Sequence, residues 1–234
     1  MITLPPLSAS SVRFWLRPLS VSSTQPWSGK RSIYGPQVQV WIAEISLTDQ
    51  DEDAAEEIGA IFSRVGGVSS LIRAGNPVRG EPLYNRMNAG ATVAFSDGYG
   101  FTDGTAFADG LIPAYASVLD AATIEASSIV ITGLPPSLSP ALFPGDLFEL
   151  RPNGVPVAHG HLYKVVAKAP TNADGETRVY FTPPLRKAVA AGDQVVLKDP
   201  TSVFRAMDDQ QGLVDWQPGT IGRTGFTLIE ELPG

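Results

Sequence analysis

The stretch Val38-Gln-Val-Trp-Ile-Ala-Glu-Ile-Ser-Leu47 decides the fold class. Its branched and aromatic residues favour a strand, and apolar side chains occur on both of its faces. This pattern indicates a strand that is buried on both sides or that crosses from a lumen to an interface. Val12 to Leu19 has the same character and predicts a second strand. Because 23 glycines and 20 prolines divide the 234 residues into short segments, the sequence predicts an all-β protein.

A single substantial helix is predicted at about residues 50–65. Thr48 followed by Asp51 is a variant of the capping box, and the acids of the first turn complement the helix dipole. Gly66-Gly67 is a stop signal. The apolar residues between these signals recur at helical spacing: Ala54, Ile58, Ile61, Phe62 and Val65. Residues 68–94, which follow, are strand-like.

Turn density changes at residue 127 and again at residue 198. Between these positions, short strands alternate with turns that contain proline, glycine or asparagine. The predicted strands are Ser128–Thr132, Asp146–Leu150, His161–Ala167, Thr177–Phe181 and Gln194–Leu197. Five strands at this spacing indicate a small closed barrel. We therefore expect residues 127–198 to form an inserted barrel domain, and residues 1–126 and 199–234 to form a β-sandwich that carries the helix.

Charge is distributed along the chain in blocks. Residues 1–43 hold four bases and no acid, residues 44–57 hold seven acids and no base, and residues 58–90 hold four bases and one acid. Such blocks are typical of solvated faces. A self-assembling ring also uses them, when the positive face of one subunit meets the negative face of the next. The candidate interface residues are the acids Glu44, Asp51, Glu52, Glu56 and Glu57 and the bases Arg13, Arg17, Arg64 and Arg73.

Residues that could carry chemistry are few. The chain has no cysteine, and its two histidines, His159 and His161, lie together without a third metal ligand nearby in sequence. We expect this pair to face solvent. No nucleophile elbow or phosphate-binding loop occurs, so no enzyme activity, cofactor or metal is predicted. The net charge of −7 argues against specific nucleic-acid binding, and no apolar stretch is long enough to predict membrane insertion.

The motif Phe-x-Asp-Gly-x-x occurs three times in succession from Phe95. Its carboxylates, on Asp97, Asp103 and Asp109, are hard oxygen ligands that could hold Ca²⁺. Ligands in calcium loops lie closer together, however, and Asp-Gly is a common turn dipeptide. The repeat therefore favours an ordered loop pinned by its phenylalanines, with a calcium site as the alternative.

Several motifs are similar to those of tail-tip proteins of long-tailed bacteriophages. In the N-terminal half they are the turn Gln25-Pro-Trp-Ser-Gly29, the strand beginning at Trp41, the acidic helix and Gly66-Gly67. In the C-terminal half they are Leu142-Phe-Pro-Gly-Asp-Leu-Phe-Glu-Leu150, His161-Leu-Tyr-Lys-Val-Val166, Phe181-Thr-Pro-Pro-Leu-Arg186 and Val203-Phe-Arg-Ala206. Their order along about 200 residues resembles that of the distal tail protein family.

This resemblance implies a tube-like β-sandwich with one helix and, as in some members, an inserted small barrel. The implied function is a hexameric ring in the virion tail tip that joins the tail tube to the baseplate hub and lets DNA pass. The implied partners are other copies of the chain, the tail tube protein, the hub and other tail-tip proteins. The alternatives are a minor tail or hub adaptor of the same complex and a carbohydrate-binding receptor module with an exposed tryptophan platform, although Trp41 is expected in the core.

Overall fold

The structure, a computed structural model, describes residues 2–3, 11–24, 31–50, 59–61, 63–64, 66–88, 111–156, 161–209, 215–216 and 222–232. The chain divides into two compact units. The first comprises Met1–Val78, Val157–His161 and Thr201–Gly234, and the second comprises Arg79–Pro156 and Leu162–Pro200. The second unit is therefore inserted in the sequence of the first.

The first unit contains a seven-stranded sheet. Its strands are β1 (Ile2–Thr3), β2 (Ser11–Thr24), β3 (Arg31–Gln50), β4 (Ile72–Gly75), β11 (Thr201–Ala206), β12 (Asp215–Trp216) and β13 (Gly222–Glu230). The order is β1-β4-β11-β13-β3-β2, with β12 paired to β13. Every pair is antiparallel except β1 with β4. Among the described residues, the strands of this unit form one sheet, whereas the sequence predicted two sheets packed as a sandwich.

Three aromatic side chains meet on one face of this sheet. The ring of Phe14 on edge strand β2 lies 5.0 Å from that of Trp41 on β3 and 5.9 Å from that of Phe204 on β11, measured between ring centroids. Trp41 and Phe204 are buried, which confirms the expected core position of Trp41. The carboxylate of Glu230 is buried with them and accepts hydrogen bonds from the Trp41 backbone N–H (2.9 Å) and the Ser202 hydroxyl (2.6 Å).

The second unit is a closed six-stranded barrel. Its strands are β5 (Tyr115–Val118), β6 (Ser128–Thr132), β7 (Leu147–Arg151), β8 (Leu162–Val165), β9 (Thr177–Thr182) and β10 (Gln194–Val196). They close in the order β10-β5-β6-β9-β8-β7. Phe148, Tyr163 and Phe181 meet in the interior with ring centroids 5.1–5.5 Å apart. The predicted all-β class with a small barrel is confirmed.

Two details of the predicted organisation differ from the structure. The barrel includes β5, which precedes residue 127 and pairs with both β6 and β10; a strand of four residues gives only a weak sequence pattern. A short helix, Leu83–Asn88, lies in the region predicted to be strand-like. Its start is stabilised by tertiary contact, because the Leu83 N–H donates to the Asp146 carboxylate at 2.8 Å. Within the predicted helix, the described residues 59–61, 63 and 64 are helical, and residue 50 belongs to β3.

The barrel consists of two similar halves, β5-β6-β7 and β8-β9-β10. Exchanging the halves leaves the closed strand order unchanged. The pairing register also agrees: Ser117 lies opposite Thr132 in the first half, as Lys164 lies opposite Thr182 in the second. Two isolated bridges are exchanged in the same way, Ala122–Val189 and Leu142–Ala169. The barrel therefore has a pseudo-two-fold axis.

Each half begins its third strand with a Gly-Asp turn, at Gly145-Asp146 and Gly192-Asp193. Both glycines have a positive φ, 101° and 89°, which residues with a side chain rarely adopt. Each aspartate is buried and accepts a hydrogen bond of 2.8 Å from the backbone N–H three residues earlier, in Phe143 and Ala190 respectively. The two halves thus close their turns by the same interaction.

The other oxygen of each aspartate accepts from a more distant N–H. Asp146 accepts from Leu83 at 2.8 Å, and Asp193 accepts from Asn153 at 3.0 Å. Each carboxylate therefore satisfies two backbone donors, one in its own turn and one in another segment. A buried polar group that loses its hydrogen-bond partner costs about 1–3 kcal/mol, and here the buried groups are the two carboxylates.

Replacing either aspartate with asparagine should destabilise the barrel. The amide keeps one acceptor oxygen but turns an NH₂ group toward the second N–H, so Asp146→Asn and Asp193→Asn should each lower the free energy of unfolding by about 1–3 kcal/mol. Urea unfolding measures this. Asp174→Asn, in an exposed turn, is the matched control and should have little effect. Equal stability of all three variants would contradict the role of these turns.

The effect of Asp146 should also depend on pH. Burial raises the pKa of its carboxyl above the usual 3.8, although the N–H groups of Phe143 and Leu83 and the charges of Arg86 and Arg79 act in the opposite direction. Because the folded pKa exceeds the unfolded one, the contribution of this group to stability is greatest below pH 3.8 and decreases as pH rises through the raised value. The stability advantage of the wild type over Asp146→Asn should therefore shrink from acidic to neutral pH in urea titrations, and an advantage that grows with pH would contradict this.

Candidate assembly surfaces

The two longest strands form a hairpin that extends past the rest of the sheet. β2 pairs with β3 along residues 31–46, whereas β13 pairs with β3 only along residues 42–50. In the part of the chain that the structure describes, residues 31–41 of β3 therefore have β2 as their only strand neighbour. A two-stranded ribbon is marginally stable in water. This ribbon would gain stability from strands of a partner.

β2 is also the outermost strand of the described sheet, and it is 14 residues long. Its residues alternate in exposure: Arg13, Trp15 and Arg17 are exposed on one face, with Trp15 at 39%, whereas Phe14 and Leu16 are half-buried on the other. A long edge strand presents backbone donors and acceptors that another chain can pair with. Tryptophan and arginine are the side chains most enriched at the energetic centres of interfaces.

Arg13 and Glu44 were assigned from sequence to opposite sides of a contact between subunits. In the structure they lie directly opposite each other on β2 and β3 of the same chain. The Arg13 Nη1 and Glu44 Oε2 atoms are 3.4 Å apart, and the side chains are 73% and 41% exposed. The acidic and basic charges at this position therefore offset each other within one subunit.

The other candidate interface residues divide into three groups. Arg73 is only 7% exposed and donates from Nη1 to the Thr201 hydroxyl at 2.9 Å, so it belongs to the interior of its own sheet and not to a contact surface. Arg17 and Arg64 are exposed and stay candidates. Four acids lie outside the described residues: Asp51, Glu52, Glu56 and Glu57.

The residues named as candidates for chemistry lie partly inside and partly outside the described ranges. His161 is buried, with 2% of its surface exposed, so the expectation that it faces solvent is wrong. His159 and the three aspartates of the Phe-x-Asp-Gly repeat lie outside the described residues. Within the described ranges, no group of three or more His, Cys, Asp or Glu side chains is placed to hold a metal ion. No described helix has the length and apolar character to cross a membrane.

The sequence predicts that charged residues of the hairpin belong to an interface, but it does not predict that two of them flank an exposed Trp15. The signal is present as Arg13-x-Trp15-x-Arg17, three large side chains at the two-residue period of a strand. That period alone does not show which face is exposed. The exposed face is shown by the structure, in which Phe14 and Leu16 are half-buried and Arg13, Trp15 and Arg17 are exposed.

Comparisons with known proteins give no further assignment. No protein-family model matches the chain, and no curated protein sequence matches it significantly.

The exposed pair on the hairpin should contribute little to stability. A double-mutant cycle of Arg13→Ala and Glu44→Ala should give a coupling energy below about 1 kcal/mol, decreasing with added salt, because both side chains are screened by solvent. Urea unfolding of the four proteins measures it. The doubly hydrogen-bonded pair Arg205–Glu231, with atoms 2.6 and 2.9 Å apart, should couple more strongly and serves as the comparison. The opposite ranking would contradict this account.

Proposed function

We propose that this chain is a structural component of a bacteriophage tail tip, forming a hexameric ring that joins the tail tube to the baseplate hub and lets DNA pass. The observation that carries the proposal is the open hairpin of β2 and β3. It combines a 14-residue edge strand with a ribbon that has no third strand among the described residues. Both features are suited to completing a sheet with a neighbouring subunit.

The sheet has the asymmetry that a ring requires. In the described part of the chain, β2 ends the sheet on one side and the two-residue strand β1 ends it on the other. A rotationally repeated contact joins two different surfaces of each subunit, and a closed ring forms when the rotation closes. Two unlike edges on one sheet supply such surfaces, and the row around Trp15 adds side chains suited to an interface core.

Further support comes from the sequence. The motifs from Gln25-Pro-Trp-Ser-Gly29 to Val203-Phe-Arg-Ala206 resemble tail-tip proteins in their order, and the all-β class with a small barrel agrees with that resemblance. The net charge of −7 suits a channel through which DNA slides without being held, because like charges repel.

The proposal is tested by the mass and shape of the assembled protein. Native mass spectrometry and negative-stain electron microscopy should show closed six-fold rings with a central lumen, for the chain alone or mixed with the tail tube protein. Arg17→Glu, in the exposed row of β2, should reduce the fraction of rings, whereas Lys187→Glu, an exposed change on the barrel, should not. Raising the salt concentration should weaken the charged part of the contact only.

Other outcomes would support the alternatives. A monomer or trimer within an assembled tail tip, without contact between copies of a ring, would favour a hub adaptor. Binding of a glycan that quenches Trp15 fluorescence, lost in Trp15→Ala, would favour a receptor module, since Trp15 is the exposed tryptophan among those whose side chains are described. Either result would overturn the ring.

A further inference from the structure

The two halves of the barrel share a fold but differ in the charges that they carry. Residues 111–156 hold four acids and one base, whereas residues 162–200 hold six bases and four acids. Positions that the pseudo-two-fold axis relates perform the same task in the fold. Side chains that differ between them are therefore not dictated by barrel closure.

The second half carries a surface that we term the cationic face: Lys164, Arg178 and Tyr180. Tyr180 and Arg178 alternate with buried Val179 and Phe181 on β9, so both point outward, and Tyr180 is 48% exposed. Lys164 lies opposite Thr182 on the neighbouring strand and is also exposed. Among the described residues, the side chains of Lys164 and Arg178 form no ion pair or hydrogen bond.

The first half has none of these groups at the equivalent positions. The register of strand pairing relates Lys164 to Ser117, Arg178 to Ser128 and Tyr180 to Val130. The barrel therefore accommodates small uncharged side chains at each of these sites. Barrel closure therefore does not account for the exposed tyrosine or for the two unpaired cations beside it.

The first half instead carries what we term the acidic turn: Asp120, Ile124 and Glu125, between β5 and β6. Ile124 is 58% exposed, and both carboxylates are exposed. Neither carboxylate accepts a side-chain hydrogen bond or ion pair within the described ranges. The turn is fixed in place, because the Glu125 N–H donates to the Leu185 carbonyl at 2.8 Å with Glu125 at a φ of 69°.

These two surfaces are chemically complementary and lie side by side. The Phe181 N–H donates to the Ser127 carbonyl at 3.0 Å, which holds the end of the acidic turn against the end of β9. One surface is an apolar ring between two cations, and the other is an apolar side chain beside two anions. A surface that combines adjacent complementary patches can meet a copy of itself about a two-fold axis, each patch facing its complement.

We propose that two copies of this chain pair through their barrels, with the acidic turn of each against the cationic face of the other. Ile124 then packs on the Tyr180 ring while Asp120 and Glu125 pair with Lys164 and Arg178. This contact is separate from the open hairpin of the first unit, and it stands or fails independently of the ring.

Charge reversal with rescue tests the pairing in the full-length chain. Lys164→Glu/Arg178→Glu gives a subunit that is acidic on both patches, and Asp120→Lys/Glu125→Lys gives one that is basic on both. Each alone should associate at least about tenfold more weakly than wild type in sedimentation velocity at low salt. An equimolar mixture should recover association as a mixed pair, because both contacts are then complementary. Wild-type association of either variant alone, or a mixture without recovery, would overturn the proposal.

Disulfide trapping reports the same contact whatever the size of the assembly, and the chain has no cysteine of its own. Thr123→Cys places a thiol next to Ile124 in the sequence. Val166→Cys places a thiol beside Tyr180, because the Tyr180 carbonyl accepts a hydrogen bond from the Val166 N–H. On oxidation, a mixture of the two should form mixed dimers well above the statistical share. Val155→Cys, 61% exposed on the same unit, is the control and should pair with neither in excess. A statistical yield with Thr123→Cys and Val166→Cys would refute the contact.

The first half of the barrel also provides a variant that separates association from folding. The triple variant Lys164→Ser/Arg178→Ser/Tyr180→Val gives the second half the residue types that the first half has at the equivalent positions. Those positions are Ser117, Ser128 and Val130. Its urea midpoint should match wild type while the barrel pairing is lost. Retained pairing in this folded variant would overturn the proposal. Disulfide trapping in proteins that also carry Arg17→Glu distinguishes the barrel pairing from the proposed ring. Arg17→Glu should reduce ring formation but leave the disulfide between barrels intact.

Discussion

Both units of this protein depend on hydrogen bonds from backbone N–H groups to buried carboxylates. Asp146 and Asp193 each accept two backbone N–H bonds in the barrel, and Glu230 accepts one from Trp41 in the sheet. A carboxylate without such donors would be costly to bury, and the donors without it would be unsatisfied. Three acidic side chains therefore hold the turns before β7 and β10 and the backbone of β3 at Trp41.

The barrel uses one type of turn twice. Because both halves close through a Gly-Asp turn, the fold is determined twice by the same local chemistry. The outer surface is free to differ once closure is secured. The unpaired cations around Tyr180 and the exposed acids near Ile124 occupy that surface, so the two halves carry different patches on a common framework.

The sheet of the first unit offers an exposed surface of a different physical kind. Its long hairpin keeps one edge without a strand neighbour among the described residues, and backbone pairing is non-specific unless side chains select the partner. Trp15 and Arg17 are exposed on one face of β2, whereas Arg13 is engaged with Glu44 of its own chain. In the proposed ring, the backbone edge would give contact area and the exposed side chains would give orientation.

The sequence by itself determined the all-β class, the strand at Val38–Leu47 with Trp41 in the core, and the barrel with most of its strands, because these follow from local periodicity and turn chemistry. Only the tertiary structure revealed the four-residue strand β5, the short helix that Asp146 caps, and the similarity of the barrel halves. The dipeptide Gly-Asp occurs in the sequence at both Gly145-Asp146 and Gly192-Asp193. Its structural role cannot be predicted from sequence, because it depends on the N–H groups that folding brings to each aspartate. The same holds for the interface candidates. Charge blocks identify bases, yet only pairing register and burial distinguish exposed Arg17 from Arg13, paired with Glu44, and from Arg73, buried in its own sheet.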